Sequence, residues 1–94
     1  MWILQCPEAT FRLMPGAVKT VGRASGADFI VDVALVSRLH CRLTATEGHV
    51  EVEDLDSTNG TFVNDKKVDR ANLASGDRLR VGRLEMTIER QDHG

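Results

Sequence analysis

The sequence is poor in aromatic residues and has no long hydrophobic run. Among its 94 residues there are three phenylalanines, one tryptophan and no tyrosine. The longest apolar stretch, FIVDVALV, is interrupted by Asp32 and is much shorter than the ~20 residues that a helix needs to cross a bilayer. Without aromatic rings interleaved with a basic stripe, the composition argues against a nucleic-acid-binding surface. We therefore expect neither a membrane nor a nucleic acid as a partner.

No single sign of charge dominates the chain. Twelve lysines and arginines face fourteen aspartates and glutamates, which gives a formal net charge of −2. Such a balance provides no general attraction to a polyanion or to an anionic membrane surface. Any anion that this protein binds must therefore be held by a local cluster of donors.

Cysteine is also scarce. Cys6 and Cys41 are the only two, and they lack the CxxC spacing of common metal sites. The N-terminal segment MWILQCPEATFR has neither the basic region nor the cleavage site of a signal peptide. We therefore expect a cytoplasmic or nuclear protein with two free, buried thiols, and neither a metal nor a cofactor.

Short segments with a two-residue alternation dominate the sequence. In HVEVEDL, Val50 and Val52 share one face and Glu51 and Glu53 share the other, as in a half-buried antiparallel strand. The other segments of this kind are WILQC, TFRLM, VKTVG, DFIV, HCRLTAT, TFVN, KKV, DRLRVG and LEMTIER. Glycine-rich and asparagine-rich turn signals separate them at the short intervals that are typical of all-β proteins. This pattern predicts an all-β sandwich of short, mostly antiparallel strands.

The length of the chain suits one domain, residues 1–94, because 94 residues can bury a single core but not two. Neither a linker nor a repeat is visible. VDRANLA is the one segment that we interpret as a possible helical turn, and we expect the final RQDHG to be unstructured.

Three polar connections carry more hydrogen-bonding groups than a simple turn requires: VGRASGADF, VSRLHC and DLDSTNGTF. The loops at one end of a sandwich converge, so we expect Arg23, Ser37, Arg38, Thr58 and Asn59 to lie close together. Two guanidinium groups and two hydroxyls are donors that suit a phosphate monoester. The amide of asparagine carries both a donor and an acceptor, which suits a peptide backbone. The set predicts a phosphopeptide-binding site.

The order of these motifs resembles that of the forkhead-associated (FHA) domain. GR at 22–23 is followed by SRLH at 37–40 and by STNGT at 57–61, and the likeness extends from about Val18 to Ile88. The resemblance implies an FHA-type β-sandwich of about eleven strands that recognises phosphothreonine in partner proteins. It also implies a place in Ser/Thr kinase signalling, where such a domain mediates phosphorylation-dependent protein-protein interaction.

The resemblance also implies a role for each donor. Arg23, Ser37, Arg38 and Thr58 are expected to bind the phosphate. Asn59 is expected to hold the main chain of the bound peptide.

Further residues are expected to shape the site. By resemblance, His40 braces the binding loops without touching the ligand, and Gly22, Gly60 and Asn64 also support these loops. Arg83 resembles a position that selects the third residue after the phosphothreonine, and Leu35 lies near another such position. Arg83 would favour an acidic residue there and Leu35 an aliphatic one, and we expect the acid.

Two alternatives remain at this point. Ser37, His40 and Asp54 are the residue types of a serine hydrolase, although the chain lacks a G-x-S-x-G elbow and room for a substrate cleft. A phosphate-independent interaction module is the other alternative, against which the retained arginine and serine argue. We therefore predict a monomeric binding module that is not an enzyme.

Overall fold

The computed structural model describes residues 1–91, which form eleven β-strands and no helix. The strands are β1 Trp2–Gln5, β2 Thr10–Leu13, β3 Val18–Gly22, β4 Phe29–Ile30, β5 Cys41–Ala45, β6 Val50–Asp54, β7 Thr61–Val63, β8 Lys66–Val68, β9 Arg70–Leu73, β10 Arg78–Val81 and β11 Leu84–Arg90. Within this range we find no helix that is long and apolar enough to cross a membrane.

The strands form two sheets. One has six strands in the order β2-β1-β11-β10-β7-β8, and the other has five in the order β4-β3-β5-β6-β9. Neighbouring strands are antiparallel except for β3 and β4, which are parallel. The predicted all-β sandwich of about eleven mostly antiparallel strands is confirmed.

The core lies between the two sheets and follows the predicted alternation. On β5, Leu43 and Ala45 are buried while Arg42 faces outward. From the six-stranded sheet, Leu79 and Met86 are fully buried. Residues that alternate in this way present one apolar face per strand, so two sheets can bury both faces against each other.

The two cysteines are free and buried, as predicted. Burial raises the pKa of the Cys41 thiol to about 12, and the nearby carboxylate of Asp54 adds to the shift. The Cys41 thiol therefore stays protonated at neutral pH and contributes as a small apolar side chain.

The prediction of a helical turn in VDRANLA is wrong. Residues 70–73 form β9, an edge strand that pairs antiparallel with β6. Leu73 is fully buried, while Arg70 faces outward and donates a hydrogen bond to Glu53 Oε2 at 2.6 Å. Pairing with β6 and burial of alternate side chains outweigh the weak helical propensity of this segment.

The prediction for the C-terminal RQDHG is wrong at its first residue. β11 continues to Arg90, and Gln91 N donates a hydrogen bond to Met1 O at 2.8 Å. Residues 92–94 lie outside the described residues.

Strand register brings the polar connections to one end of the sandwich. Cys41 pairs with Val21 on one side and with Asp54 on the other, so β3 ends, β5 begins and β6 ends at the same level. In the other sheet, Val81 pairs with Thr61, which brings the β10–β11 turn to the start of β7. The β3–β4, β4–β5, β6–β7 and β10–β11 connections are therefore the ones that can form a common site.

Candidate functional site

A cleft of about 310 Å³ lies at this end of the molecule. The residues that line it are Arg23, Leu35, Val36, Ser37, Arg38, Thr58 and Asn59. A neighbouring cavity of about 690 Å³ is also bordered by Arg23 and Arg38. The structure thus brings together all five side chains that were expected to contact a phosphopeptide.

Backbone hydrogen bonds join the loops that carry the two arginines. Arg23 N donates to Ser37 O at 3.0 Å, and Ala24 N donates to Arg38 O at 3.1 Å. Gly22 permits this approach, because a Cβ atom there would lie 2.0 Å from Arg38 O. A side chain at Gly22 would force the two loops apart.

Both arginines leave their charge available for a ligand. Arg23 and Arg38 are exposed, and neither has a carboxylate partner among residues 1–91. Three other arginines on the surface are paired: Arg42 and Arg70 both bind Glu53, and Arg78 lies 3.2 Å from Asp65. The cleft is therefore a local concentration of uncompensated positive charge on a chain of slightly negative net charge.

Ser37 connects two of the loops and keeps a donor free. Its Oγ accepts a hydrogen bond from Thr58 N at 3.0 Å. A hydroxyl has one donor and two acceptor positions, so this contact leaves the O–H group able to donate to a ligand oxygen in the cleft. Thr58 itself is exposed at the rim.

His40 lies behind Ser37 and is fully buried. Its Nδ1 accepts a hydrogen bond from Ser37 N at 3.1 Å, and its Nε2 lies 2.8 Å from Gly60 O. These partners require the neutral tautomer with the proton on Nε2, which donates to the carbonyl of Gly60. Gly60 has φ +90°, a backbone conformation that glycine adopts without strain. His40 therefore joins the β4–β5 and β6–β7 loops beneath the cleft.

The same contacts leave no catalytic relay. Both ring nitrogens of His40 face backbone groups, and Ser37 Oγ is bonded to the backbone of Thr58. The carboxylate of Asp54 accepts hydrogen bonds from hydroxyl groups of its own loop instead of orienting the imidazole. A serine hydrolase needs the serine bonded to the histidine and the histidine to the carboxylate, and this geometry does not provide it.

Asp54, Ser57 and Thr61 form a brace that sequence reasoning did not assign. Asp54 Oδ1 accepts hydrogen bonds from Ser57 Oγ at 2.5 Å and from Thr61 Oγ1 at 2.7 Å. Ser57 Oγ in turn accepts from Gly60 N at 3.0 Å. Two of the three hydroxyls of DLDSTNGTF therefore hold the shape of their own loop. An aspartate three residues before a serine is a local signal for such a turn.

Hydrogen bonding outweighs burial in setting the pKa of Asp54. Partial desolvation acts to raise the pKa of this carboxyl group, but hydrogen bonds from Ser57 and Thr61 hold it below its usual value. A carboxyl group whose pKa is depressed by folding adds stability above its unfolded pKa of about 3.9, and that stability is lost as the pH falls through the folded pKa.

We therefore expect Asp54→Asn to lower the free energy of unfolding by about 1–2 kcal/mol at neutral pH, because the amide keeps only part of the charge-assisted bonding. The difference from wild type should narrow as the pH falls below about 4. Urea denaturation at neutral pH and below pH ~4 measures the two free energies of unfolding, and Asp56→Asn, at an exposed position, is the control. A difference that is the same at every pH would contradict the role of the carboxylate.

Leu35, Asn59 and the β10–β11 turn meet at one side of the cleft. Asn59 Nδ2 donates to Leu35 O at 3.0 Å, and the backbone of Leu35 packs against Gly82. Arg83 follows Gly82 and is exposed, outside the set of residues that line the cleft. Leu35 therefore lies against the turn that carries Arg83, although the two residues belong to connections of different sheets.

Asn64 does not lie with the binding loops. It sits at the far end of β7, where its Oδ1 accepts from Arg78 N at 2.9 Å and its Nδ2 donates to Asp77 at 3.2 Å. Its φ of 49° fits the tight turn between β7 and β8. The expectation that Asn64 supports the binding loops is therefore corrected: it joins two turns at the opposite end of β7 and β10.

The described part of the chain contains no group of three or more His, Cys, Asp or Glu side chains that could hold a metal ion. The chemistry of the cleft is that of hydrogen-bond donors and cations. It can bind an anion and an adjoining peptide group.

Comparison with known proteins agrees with this geometry. The model of the FHA domain family matches residues 19–82. The chain is 42% identical over 88 residues to the ABC transporter ATP-binding/permease protein Rv1747 of Mycobacterium tuberculosis, covering 94% of this chain and 10% of that protein. The chain thus spans about a tenth of the length of that relative.

Two solved structures share the architecture at substantial sequence identity. One, from a study of phosphothreonine-dependent FHA domain interactions, has a TM-score of 0.89 and 32% identity, and the match covers 98% of each chain. The other, the FhaA FHA domain complexed with the intracellular domain of Rv3910, has a TM-score of 0.87 and 33% identity over 95% of this chain and 100% of that one. With the family model matching more than half of its length, the chain belongs to the FHA domain family.

Proposed function

We propose that this domain binds phosphothreonine in partner proteins and acts as a phosphorylation-dependent interaction module without catalytic activity. The observation that carries the proposal is the cleft in which two arginines without carboxylate partners converge with Ser37, Thr58 and Asn59. The relatives support it: one similar FHA structure concerns phosphothreonine-dependent interactions, and another holds a domain of a second protein.

The charges of the cleft match a phosphate monoester. Phosphorylation adds about −1.5 to −2 charge and three acceptor oxygens, which the two guanidinium groups can balance. In our proposal Arg23 presents its fork to two oxygens, Arg38 adds a second cation, and the hydroxyls of Ser37 and Thr58 donate to the remaining positions. Asn59 then pairs with the main chain of the peptide beside the phosphothreonine.

The proposed partner is a protein modified by a Ser/Thr kinase, so we propose that the domain acts inside the cell. We also propose that it acts as a monomer. Because the chain spans only part of its transporter relative, the domain would bring whatever protein carries it to the phosphorylated partner. We propose that the described residues act as one such module.

The test is calorimetry with three peptides that differ at one residue: threonine, phosphothreonine or phosphoserine. We expect no measurable binding of the unphosphorylated peptide and a several-fold preference for phosphothreonine over phosphoserine. Threonine has one methyl group more than serine. Burying one methyl group contributes about 0.8 kcal/mol, which corresponds to about fourfold in affinity. Equal binding of the threonine peptide would indicate a phosphate-independent module and refute the proposal.

Arg83 is expected to favour an acidic residue three positions after the phosphothreonine. A rim ion pair contributes only about 0.2–1 kcal/mol, so a peptide with Asp or Glu at that position should bind up to about fivefold more tightly than one with Ala, and less so at high salt. The measurement is a peptide series varied at this residue against wild type and Arg83→Ala. An acid preference that survives Arg83→Ala, or a preference for aliphatic residues in wild type, would assign selection to Leu35 or another group.

A further inference from the structure

Asn59 is itself held by another loop. Its Nδ2 donates a hydrogen bond to the carbonyl oxygen of Leu35 at 3.0 Å. A side-chain amide has two N–H groups, so the second N–H and the Oδ1 acceptor remain for a peptide. Asn59 is exposed, and this is the one hydrogen bond among the described residues that orients its side-chain amide.

The carbonyl of Leu35 belongs to a turn in an unfavourable conformation. Leu35 has φ 71°, a left-handed value that residues with a branched side chain rarely adopt. Val36 N donates to Val33 O at 3.3 Å and closes the turn, while the side chain of Val36 is buried in the core. Such a conformation persists only where neighbouring contacts impose it. Contacts around the turn therefore determine where the Leu35 carbonyl points.

Gly82 provides the space for this carbonyl. A Cβ atom at Gly82 would lie 2.7 Å from both the carbonyl carbon and the oxygen of Leu35, and 2.9 Å from Val36 N. Gly82 is buried in the β10–β11 turn of the six-stranded sheet, whereas Leu35 lies between β4 and β5 of the other sheet. The contact therefore connects the loops of both sheets directly behind Asn59.

We propose that Gly82 and the Leu35 carbonyl are positioning residues, which together hold the amide of Asn59 in the orientation that binds the main chain of the ligand. This inference rests on the proposed function. An amide that is already oriented loses little rotational freedom when the peptide binds, so its hydrogen bonds contribute more to affinity. Since Val36 is anchored in the core, a methyl group at Gly82 displaces the carbonyl of Leu35 and breaks its bond to Asn59.

The variant that tests this is Gly82→Ala, and Gly76→Ala is its matched control. Both glycines have positive φ, +56° at Gly82 and +94° at Gly76, so alanine is strained at either position. A Cβ atom at Gly76 meets nothing within 4 Å. The backbone strain is no smaller in the control, because φ +94° lies further outside the left-handed region open to L residues than +56° does, and only Gly82→Ala adds the collision with Leu35.

Affinity is measured for a phosphothreonine peptide and, by competition, for free phosphothreonine, which lacks the flanking peptide groups. We expect Gly82→Ala to weaken peptide binding by about 5- to 10-fold, because one or two neutral hydrogen bonds are lost. The binding of free phosphothreonine should be unchanged. Gly76→Ala should change neither. The double variant Gly82→Ala/Asn59→Ala should bind the peptide no more weakly than Asn59→Ala alone, because both changes remove the same interaction.

A second variant keeps the test decisive if Gly82→Ala folds poorly. Val36→Ala weakens the buried anchor that holds the Leu35 carbonyl in place, so Asn59→Ala should weaken peptide binding less in the Val36→Ala background than in wild type. Full additivity of Asn59→Ala with Gly82→Ala or with Val36→Ala would overturn the positioning role. Undiminished peptide binding by Asn59→Ala and Arg23→Ala alike would overturn the proposed function itself.

Discussion

Arg23→Ala is expected to weaken phosphothreonine-peptide binding by at least ~100-fold, because a forked arginine makes two charge-assisted hydrogen bonds worth about 1.5–3 kcal/mol each. The fold should be unaffected. Arg23 is exposed, has no ion pair among the described residues, and is joined to Ser37 through its backbone, which alanine retains. Calorimetry with one phosphopeptide measures the affinity, and thermal unfolding measures the stability.

Two further variants separate a specific contact from general charge. Arg12→Ala removes an exposed arginine on β2, away from the cleft, and should leave affinity nearly unchanged. Arg23→Lys keeps the charge but loses the planar fork, so its affinity should fall between wild type and Arg23→Ala. Near-normal binding by Arg23→Ala would show that the phosphate binds elsewhere. If Arg23→Lys bound as tightly as wild type, the contribution of Arg23 would come from its charge and not from a forked pair of hydrogen bonds.

His40→Ala is expected to lower the free energy of unfolding by about 3 kcal/mol or more, a large share of the about 5–15 kcal/mol of a typical domain. The variant leaves a cavity and deprives two backbone groups, Ser37 N–H and Gly60 C=O, of their partners. Urea denaturation measures the loss. Binding should weaken as a consequence, because the loops that carry Ser37 and Thr58 are no longer joined beneath the cleft.

His49→Ala is the matched control for this variant. His49 is partly buried and bonds Thr46 in the β5–β6 turn, at the end of the sandwich opposite the cleft. We expect a smaller loss of stability there and no change in phosphopeptide affinity. If His40→Ala kept its melting temperature and still abolished binding, the imidazole would have to contact the ligand directly.

The strands were largely predictable from the sequence, because alternation of apolar and polar residues reports burial on one face. Val50 and Val52 against Glu51 and Glu53 on β6 illustrate this, and the burial pattern of the strand follows it. The alternation did not predict β9, because its inward positions are only Ala71 and Leu73, which are too few to distinguish a strand from a helical turn. Its conformation is decided by pairing with β6.

By itself, the sequence determined the fold class and the five candidate donors, since the motifs have characteristic residues. It also determined that the donors converge, because the ends of strands bring such loops together. Only the tertiary structure decided which groups of these loops contact one another. Asn59 and Leu35 are separated by 24 residues along the chain, and the contact of Gly82 with Leu35 joins two sheets. The placement of Asn64 away from the cleft is of the same kind. Such contacts depend on the register and packing of the sheets, and no local pattern of residue types records them.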